Sequence, residues 1–110
     1  MNKKNITLKI DNQNLPYIYN GEASINKEII EFIDNDEEYI YDMKINRLTK
    51  IKNGYKIVID FDQELIKLYD EKENCLDIKI KIKKKEIKEN NINIIYIVDK
   101  NEIYFELEVE

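Results

Sequence analysis

Apolar residues recur at every second position along most of this 110-residue chain. In the stretch LDIKIKI, which begins at Leu76, leucine and isoleucines alternate with charged side chains, and IYFELEV near the C-terminus has the same pattern. A β-strand directs successive side chains to opposite faces, so this period gives each strand one apolar and one polar face. Comparable runs begin at Ile6, Tyr39, Tyr55 and Ile92. The sequence therefore predicts half-buried antiparallel strands.

Short clusters rich in Asn and Asp separate these runs, for example DNDE, NG, ENN and DKNE. Such clusters are typical of turns, so the strands should follow one another as a meander. The two economical solutions are a sandwich and a closed barrel, and the barrel is favoured because closure removes unpaired strand edges. We expect an all-β fold, a single antiparallel up-and-down (calycin-like) β-barrel of about eight strands, in one domain over residues 1–110. Residues 25–33 also fit helical spacing, which leaves one short helix there as an alternative, and QELIKLY is read as a strand.

Composition excludes several classes of function. With 43% hydrophobic and 37% charged residues the chain should fold, and its net charge of −5 argues against partners such as nucleic acid or an acidic membrane. The sequence contains no apolar run of signal-peptide or membrane-span length, so we expect a cytoplasmic protein. Cys75 is the only cysteine and there is no histidine, which excludes a disulfide within the chain, cysteine-rich zinc sites and the usual catalytic triads. No cofactor is expected.

The segment DIKIKIKKKEIKEN, residues 77–90, holds six lysines in fourteen residues. Alternation points Lys79, Lys81 and Lys83 away from the isoleucines, and Glu106, Glu108 and Glu110 point outward in the same way on the last strand. In a meander the two strands are second neighbours, so lysines and glutamates should share one outer surface. We interpret the segment as a solvated strand face rather than a phosphate-binding surface, since no arginine or aromatic residue is interleaved. The alternation breaks between Ile82 and Ile87, which indicates a β-bulge or the end of a strand.

The acidic cluster DFDQE contains three carboxylates at alternate positions, Asp60, Asp62 and Glu64. On one strand face they could hold a hard cation or supply an acid and a base. They lie opposite Ile57 and Ile59, however, so exposed polar positions are the preferred interpretation. We predict no metal site and no enzyme, with catalysis by Asp60 and Asp62 as a distant alternative.

The single arginine, among seventeen lysines, is the most informative charged residue. If residues 52–54 form a three-residue hairpin loop, Arg47 faces Ile59, and Arg47 and Thr49 point into the barrel. The tyrosines expected around them are Tyr41, Tyr55 and Tyr96. A buried guanidinium must be paired or solvated, so three interpretations stay open: an anchor for an anionic ligand group, a plug bonded to carbonyls and tyrosine hydroxyls, or a side chain turned to solvent by a bulge.

Some strands are apolar on both faces. Ile95 and Ile97 project opposite Ile94 and Tyr96, which on a small barrel requires cover by another segment or by a second subunit. The sequence therefore predicts an interface at Ile95 and Ile97, and homodimerisation is one expectation.

From about Glu38 to Glu110, four stretches carry a resemblance to a known family: LYDEKENC, LDIKIKIKKKEI, NIIYIV and IYFELEVE. In this order they resemble the YwiB-like family of uncharacterised bacterial calycin or lipocalin-like β-barrel proteins. The resemblance implies an eight-stranded barrel without an established activity, and it carries over no catalytic residues.

The function expected from the sequence is a non-enzymatic binding module for a small, partly apolar, anionic ligand inside the barrel. Arg47 and Thr49 would hold its anionic group, and Tyr41, Tyr55 and Tyr96 would form the walls. The alternative is a protein-interaction or assembly domain, a homodimer through Ile95 and Ile97, whose barrel is filled by its own side chains.

Overall fold

A computed structural model describes residues 2–12 and 16–110. These residues form eleven β-strands and no helix. The strands are β1 (Asn2–Asp11), β2 (Tyr17–Asn26), β3 (Ile29–Asp34), β4 (Glu37–Asp42), β5 (Arg47–Lys52), β6 (Tyr55–Asp60), β7 (Leu65–Tyr69), β8 (Cys75–Lys79), β9 (Lys81–Lys88), β10 (Asn91–Val98) and β11 (Asn101–Val109).

The strands are hydrogen-bonded in the order β8-β7-β6-β5-β4-β3-β2-β1-β11-β10-β9. Neighbours in this order follow one another along the chain, except that β1 pairs antiparallel with β11, and β8 and β9 are the two ends of the order. The predicted all-β, antiparallel up-and-down class is confirmed, with eleven described strands rather than about eight. The helix considered for residues 25–33 is wrong, because β2 continues to Asn26 and β3 starts at Ile29 after a turn in which Lys27 has a φ of 58°. The strand expected in QELIKLY is β7.

The described residues belong to two compact units. The first unit contains Asn2 and residues 24–79, and it includes β3 to β8 with the end of β2. The second unit contains residues 3–23 and 80–110, and it includes β9, β10, β11, nearly all of β1 and the first part of β2.

The core of the first unit is a row of residues directly opposite one another on five strands. The row runs through Ile30, Tyr41, Leu48, Ile59 and Ile66, and all five are buried. Burying an aliphatic side chain of this size contributes roughly 1.5–3 kcal/mol. The rings of Phe32 and Tyr39 extend this core with a stacked contact, their centroids 4.7 Å apart.

The core of the second unit is built in the same way. Leu8, Leu107 and Ile92 lie opposite one another on β1, β11 and β10, and all three are buried. The alternation that predicted these strands is therefore the alternation that selects the buried face.

The β5–β6 hairpin differs from the prediction. Lys52 pairs with Tyr55, so the loop has two residues, Asn53 and Gly54, and both have positive φ, 49° and 85°. Asn-Gly in this conformation matches the twist of the flanking strands, which is why two-residue loops prefer it. The prediction of a three-residue loop is wrong.

Lys50 explains why the shorter loop is tolerated. The two-residue loop places Lys50 on the same face of β5 as the buried Leu48, which is the core face of that strand. In the structure its ammonium lies 5.4 Å from the centroid of the Tyr39 ring and 3.6 Å from the Glu37 carboxylate. A lysine can cover apolar surface with its alkyl stem and still pair its charge at the rim, so the position accepts it.

The bulge expected in the lysine-rich strand is confirmed. Along β9 the partner of Ile95 is Lys84 and the partner of Tyr96 is Ile82, so Lys83 is the extra residue. Its ammonium donates to the Glu102 carboxylate on β11, the second-neighbour strand. One of the predicted lysines therefore meets a glutamate of the last strand, although this partner is Glu102 and not one of the glutamates named from the sequence.

Candidate functional site

The residues predicted to line one ligand site do not share one face. The shorter hairpin loop pairs Arg47 with Asp60 and Leu48 with Ile59. Because Leu48 is fully buried, Arg47 and Thr49 lie on the opposite face of β5, away from the core in which Tyr41 packs. The expectation that Arg47 and Thr49 point inward beside Tyr41 is wrong.

Arg47 forms an ion pair with a buried carboxylate. Its guanidinium donates to Asp60 Oδ2 from Nε at 3.3 Å and from an Nη nitrogen at 2.8 Å. The other oxygen, Asp60 Oδ1, accepts the backbone N–H of Gln63 at 3.0 Å. The Arg47 side chain is 39% exposed and that of Asp60 only 8%. Both carboxylate oxygens thus accept hydrogen bonds from this chain, and Asp60 closes the turn after β6.

The remainder of the acidic cluster lies in that turn. β6 ends at Asp60 and residues 61–64 form turns. The prediction that Asp60, Asp62 and Glu64 share one strand face is therefore wrong. Within the ranges that the structure describes, no three acidic or cysteine side chains are grouped so that they could hold a metal ion.

Tyr41 belongs to a buried polar cluster. Its hydroxyl donates to Asn46 Oδ1, and Asn46 Nδ2 donates to Asp62 Oδ1 at 3.4 Å. Burial, followed by the nearby carboxylates of Asp62 and Asp42, raises the pKa of Tyr41 well above its ordinary value. The Tyr41 hydroxyl is neutral and already donates a hydrogen bond within the protein, so this side chain has a structural role and does not line a ligand pocket as predicted.

The other two predicted tyrosines differ in exposure. Tyr96 lies in the second unit, where it is buried between Ile82 and Ile103, and burial raises its pKa to about 12. Tyr55, at the start of β6 in the first unit, is 54% exposed. Of the five predicted ligand residues, Tyr55 lines a hollow in the first unit.

This hollow lies where β6, β7 and β8 meet the turn after β7, and its volume is about 340 Å³. Its apolar and aromatic lining comes from Tyr55, Leu68, Tyr69 and Leu76. The polar lining comes from Asp70, Asn74 and Cys75. Leu76 is 61% exposed although it shares the face of Leu68, because β8 is the last strand in the order and only β7 pairs with it among the described residues.

The turn that forms the rim of the hollow is fixed by one carboxylate. Asp70 Oδ1 accepts the backbone N–H groups of Lys72 and Asn74, and Oδ2 accepts the Asn74 side-chain amide, all at 2.9 Å. These hydrogen bonds, chiefly those from Asn74, lower the pKa of Asp70. The rim is therefore preformed and carries a negative charge at neutral pH.

Cys75 at the same rim is not an activated nucleophile. Its thiol donates to Asp77 Oδ1 at 3.2 Å, and its pKa is raised, first by desolvation and then by this carboxylate. A neutral thiol is a weak nucleophile, so the hollow has no group prepared for covalent catalysis.

Ile95 and Ile97 lie on β10 opposite the face of Ile94 and Tyr96, as predicted. Ile95 pairs with the exposed Tyr104 and lines a hollow of about 310 Å³ in the second unit. The other side chains that line this hollow are mostly charged or polar, and they come from Lys84, Glu86, Asn93 and Glu106. An interface at Ile95 and Ile97 stays a prediction.

The sequence alternation could not reveal the hollow of the first unit. Alternation places Leu68 and Leu76 on the inner face, but it does not show which strand is the last in the sheet. The signal available was the turn LYDEKENC, in which an Asp precedes an Asn by four residues and can close an Asx-type turn.

Comparison with family models, with curated proteins and with solved structures found no match for this chain. The resemblance to the YwiB-like family stays a prediction. Among the described residues no helix could cross a membrane.

Proposed function

We propose that the protein is a non-enzymatic binding module for a small, partly apolar molecule, which occupies the hollow lined by Tyr55, Leu68 and Leu76. One observation carries this proposal: two large side chains that would normally avoid water, Tyr55 and Leu76, are more than half exposed and line the same 340 Å³ hollow. Ligand sites are concave, mainly apolar and carry a few fixed polar groups, and volumes of about 300–1,000 Å³ are usual.

The charges around the hollow favour a neutral or cationic ligand. Asp70 supplies a carboxylate at the rim, and Arg47, which was expected to hold an anionic group, is paired with Asp60. The proposal therefore keeps the small, partly apolar ligand and gives up its anionic group. The ligand would stack on Tyr55, cover Leu76 and bring a hydrogen-bond donor to the rim.

Native mass spectrometry on gently purified protein is the first test. Mass that is lost on denaturation would give the size of a co-purified ligand. The second test uses N-phenyl-1-naphthylamine, a neutral apolar fluorophore, as a probe titrated into the bare protein. We expect saturable fluorescence enhancement that Tyr55→Ala weakens at least tenfold.

Two controls make the fluorescence test specific. Tyr104→Ala removes another exposed tyrosine that lies in the second unit, and it should leave the affinity unchanged. Ile33→Asp removes another exposed apolar residue away from the hollow. If all three variants bind the fluorophore as the original protein does, the hollow is not the binding site.

A second candidate function is protein assembly through the outer face of β10. The observation that favours it is the pair formed by Ile95 and the exposed Tyr104, surrounded by charged side chains, which is the pattern of an apolar centre with a polar rim. Ile95→Lys combined with Ile97→Lys should convert a dimer to a monomer, and an unchanged mass in solution would exclude this surface.

A further inference from the structure

β8 is a sheet-edge strand with little of the usual protection. Among the described residues it pairs with β7 alone, and four of its five side chains are exposed. Proteins commonly guard such edges with bulges, prolines or runs of lysine, because an open edge can pair with another strand. β9 has these devices, with its bulge at Lys83 and its many lysines, whereas β8 has neither bulge nor proline.

The charges of β8 are complementary to those of a second, antiparallel copy of the same strand centred on Ile78. In an antiparallel pair of two copies with Ile78 opposite Ile78, Asp77 of each copy lies opposite Lys79 of the other. A two-fold axis generates this cross-strand ion pair twice. The isoleucines at the axis meet on the other face, the face on which Ile78 pairs with the buried Ile66.

We propose that two copies of this chain associate through β8, antiparallel and in the register that places Ile78 on the two-fold axis. Charge decides between this register and its neighbour. Centring the pair on Asp77 would oppose two carboxylates, which is destabilising for residues directly opposite each other. The chosen register instead continues a row of alternating charge, because Lys67 on β7 already lies opposite Asp77.

The expected dimer is a weak one. A five-residue edge strand and its neighbouring side chains form an interface of the small class, below about 1,200 Å² in total, for which transient association is usual. The association should therefore depend on protein concentration and, because it uses exposed ion pairs, on salt.

The first experiment exchanges the charges. Asp77→Lys alone places two ammonium groups opposite each other across the interface, and Lys79→Asp alone opposes two carboxylates, so sedimentation equilibrium should show at least a tenfold weaker dimer for each. The double variant Asp77→Lys, Lys79→Asp restores opposite charges and should regain most of the affinity. Recovery in the double variant excludes misfolding as the cause of the single-variant losses. A monomeric original protein at all concentrations, or single variants that dimerise normally, would overturn the proposal.

The second experiment tests the register. In a Cys75→Ser background, Ile78→Cys places two thiols directly opposite each other, at the roughly 4.5–5.5 Å separation of paired α-carbons that a disulfide accepts. Asp77→Cys in the same background places them on a diagonal of about 7–8 Å, beyond that reach. Oxidation should cross-link the first variant and leave the second largely monomeric. The reverse result would place the axis at Asp77 and contradict the register.

One control separates this surface from the outer face of β10. Ile95→Lys should leave the sedimentation of the dimer unchanged if β8 forms the interface. If Ile95→Lys abolishes the dimer and the β8 charge variants do not, association uses the β10 surface and the β8 proposal is wrong.

Discussion

Arg47 and Asp60 lie directly opposite each other on β5 and β6, and the guanidinium donates two hydrogen bonds to one oxygen of a nearly buried carboxylate. This relationship accounts for the one arginine in a chain that otherwise uses lysine. A planar guanidinium can approach one carboxylate with two donors from a neighbouring strand, whereas an ammonium is a single point of charge. The pair fixes the end of β6 and the start of the turn that follows it.

Removing Arg47 should therefore cost stability. In Arg47→Met the Asp60 carboxylate keeps only the Gln63 N–H bond, and we expect the free energy of unfolding to fall by about 1–3 kcal/mol, a value limited by the partial exposure of the arginine. Urea unfolding at pH 7 measures this loss. Lys88→Met, which removes a well exposed cation, is the matched control and should change stability by less than about 0.5 kcal/mol. Equal effects of the two substitutions would contradict a structural role for Arg47.

Asn46 is the second buried polar residue at this end of the first unit. It combines a positive φ of 53° with side-chain bonds to Tyr41 and Asp62, and its carbonyl accepts the Phe61 N–H. Asn46→Ala removes both side-chain bonds and places an unfavourable residue at positive φ, so we expect a loss of about 2–4 kcal/mol.

Asn46→Gly separates the two contributions. Glycine accepts the positive φ without strain but makes no side-chain bond, so this variant should be more stable than Asn46→Ala by about 1 kcal/mol and still less stable than the original protein. Thermal and urea unfolding of the three proteins measure the difference. If glycine and alanine are equivalent, backbone strain at this position is not important.

The parts of the fold that could be predicted from the sequence are those in which buried and exposed residues alternate. Alternation gave the inner faces of the last strands correctly, as at Leu107 and Ile94, because a strand with one buried face must alternate, but it gave the wrong face for β5 and too few strands. The bulge at Lys83 was also readable, since an extra residue shifts the alternation by one position. The second and third strands were harder to separate, because the turn at Lys27 and Glu28 contains neither glycine nor proline and interrupts an apolar pattern that also fits a helix.

The site was less predictable, because it depended on one loop length. A loop that is shorter by one residue moves Arg47 from opposite Ile59 to opposite Asp60. A charged residue at position 50 is typical of an outer face, whereas the ammonium of Lys50 lies over the Tyr39 ring and reaches Glu37 on the inner face. Such amphipathic placement depends on neighbours from another strand and cannot be read from local sequence.

Gly54 tests the hairpin that sets this register. Its φ of 85° is strained for any residue with a side chain, and an added Cβ would lie 3.0 Å from Glu71 Cγ. Gly54→Ala should therefore destabilise the protein by about 1–2 kcal/mol, with most of the loss arising from the backbone because the glutamate side chain can move aside. Combining it with Glu71→Ala should recover little of the loss. A full recovery in the double variant, measured by urea unfolding, would show that the steric contact rather than the backbone is limiting.

Buried tyrosines should make the protein sensitive to alkali. Burial raises the pKa of Tyr96 to about 12, and it raises that of Tyr41 further, whereas both groups have a value of 10.0 when exposed. Above pH 10 the unfolded chain therefore loses protons that the folded chain keeps, which favours unfolding. The stabilisation from these groups is complete below pH 10 and is lost as the pH rises towards the folded-state values, with a slope of about 1.4 kcal/mol per pH unit for each tyrosine.

Urea unfolding between pH 9 and pH 11.5 measures how steeply the free energy of unfolding falls with pH. Tyr96→Phe should reduce this slope by the contribution of one tyrosine. The ion pair of Lys83 and Glu102 titrates in the same range, because Glu102 raises the pKa of Lys83 and the stability from that lysine is also lost at high pH. Both side chains of that pair reach solvent, so Lys83→Met should change the slope far less than Tyr96→Phe does. If Tyr96→Phe leaves the slope as it is in the original protein, the buried hydroxyl does not control the alkaline transition, and the exposed ion pairs of the second unit become the groups to remove next.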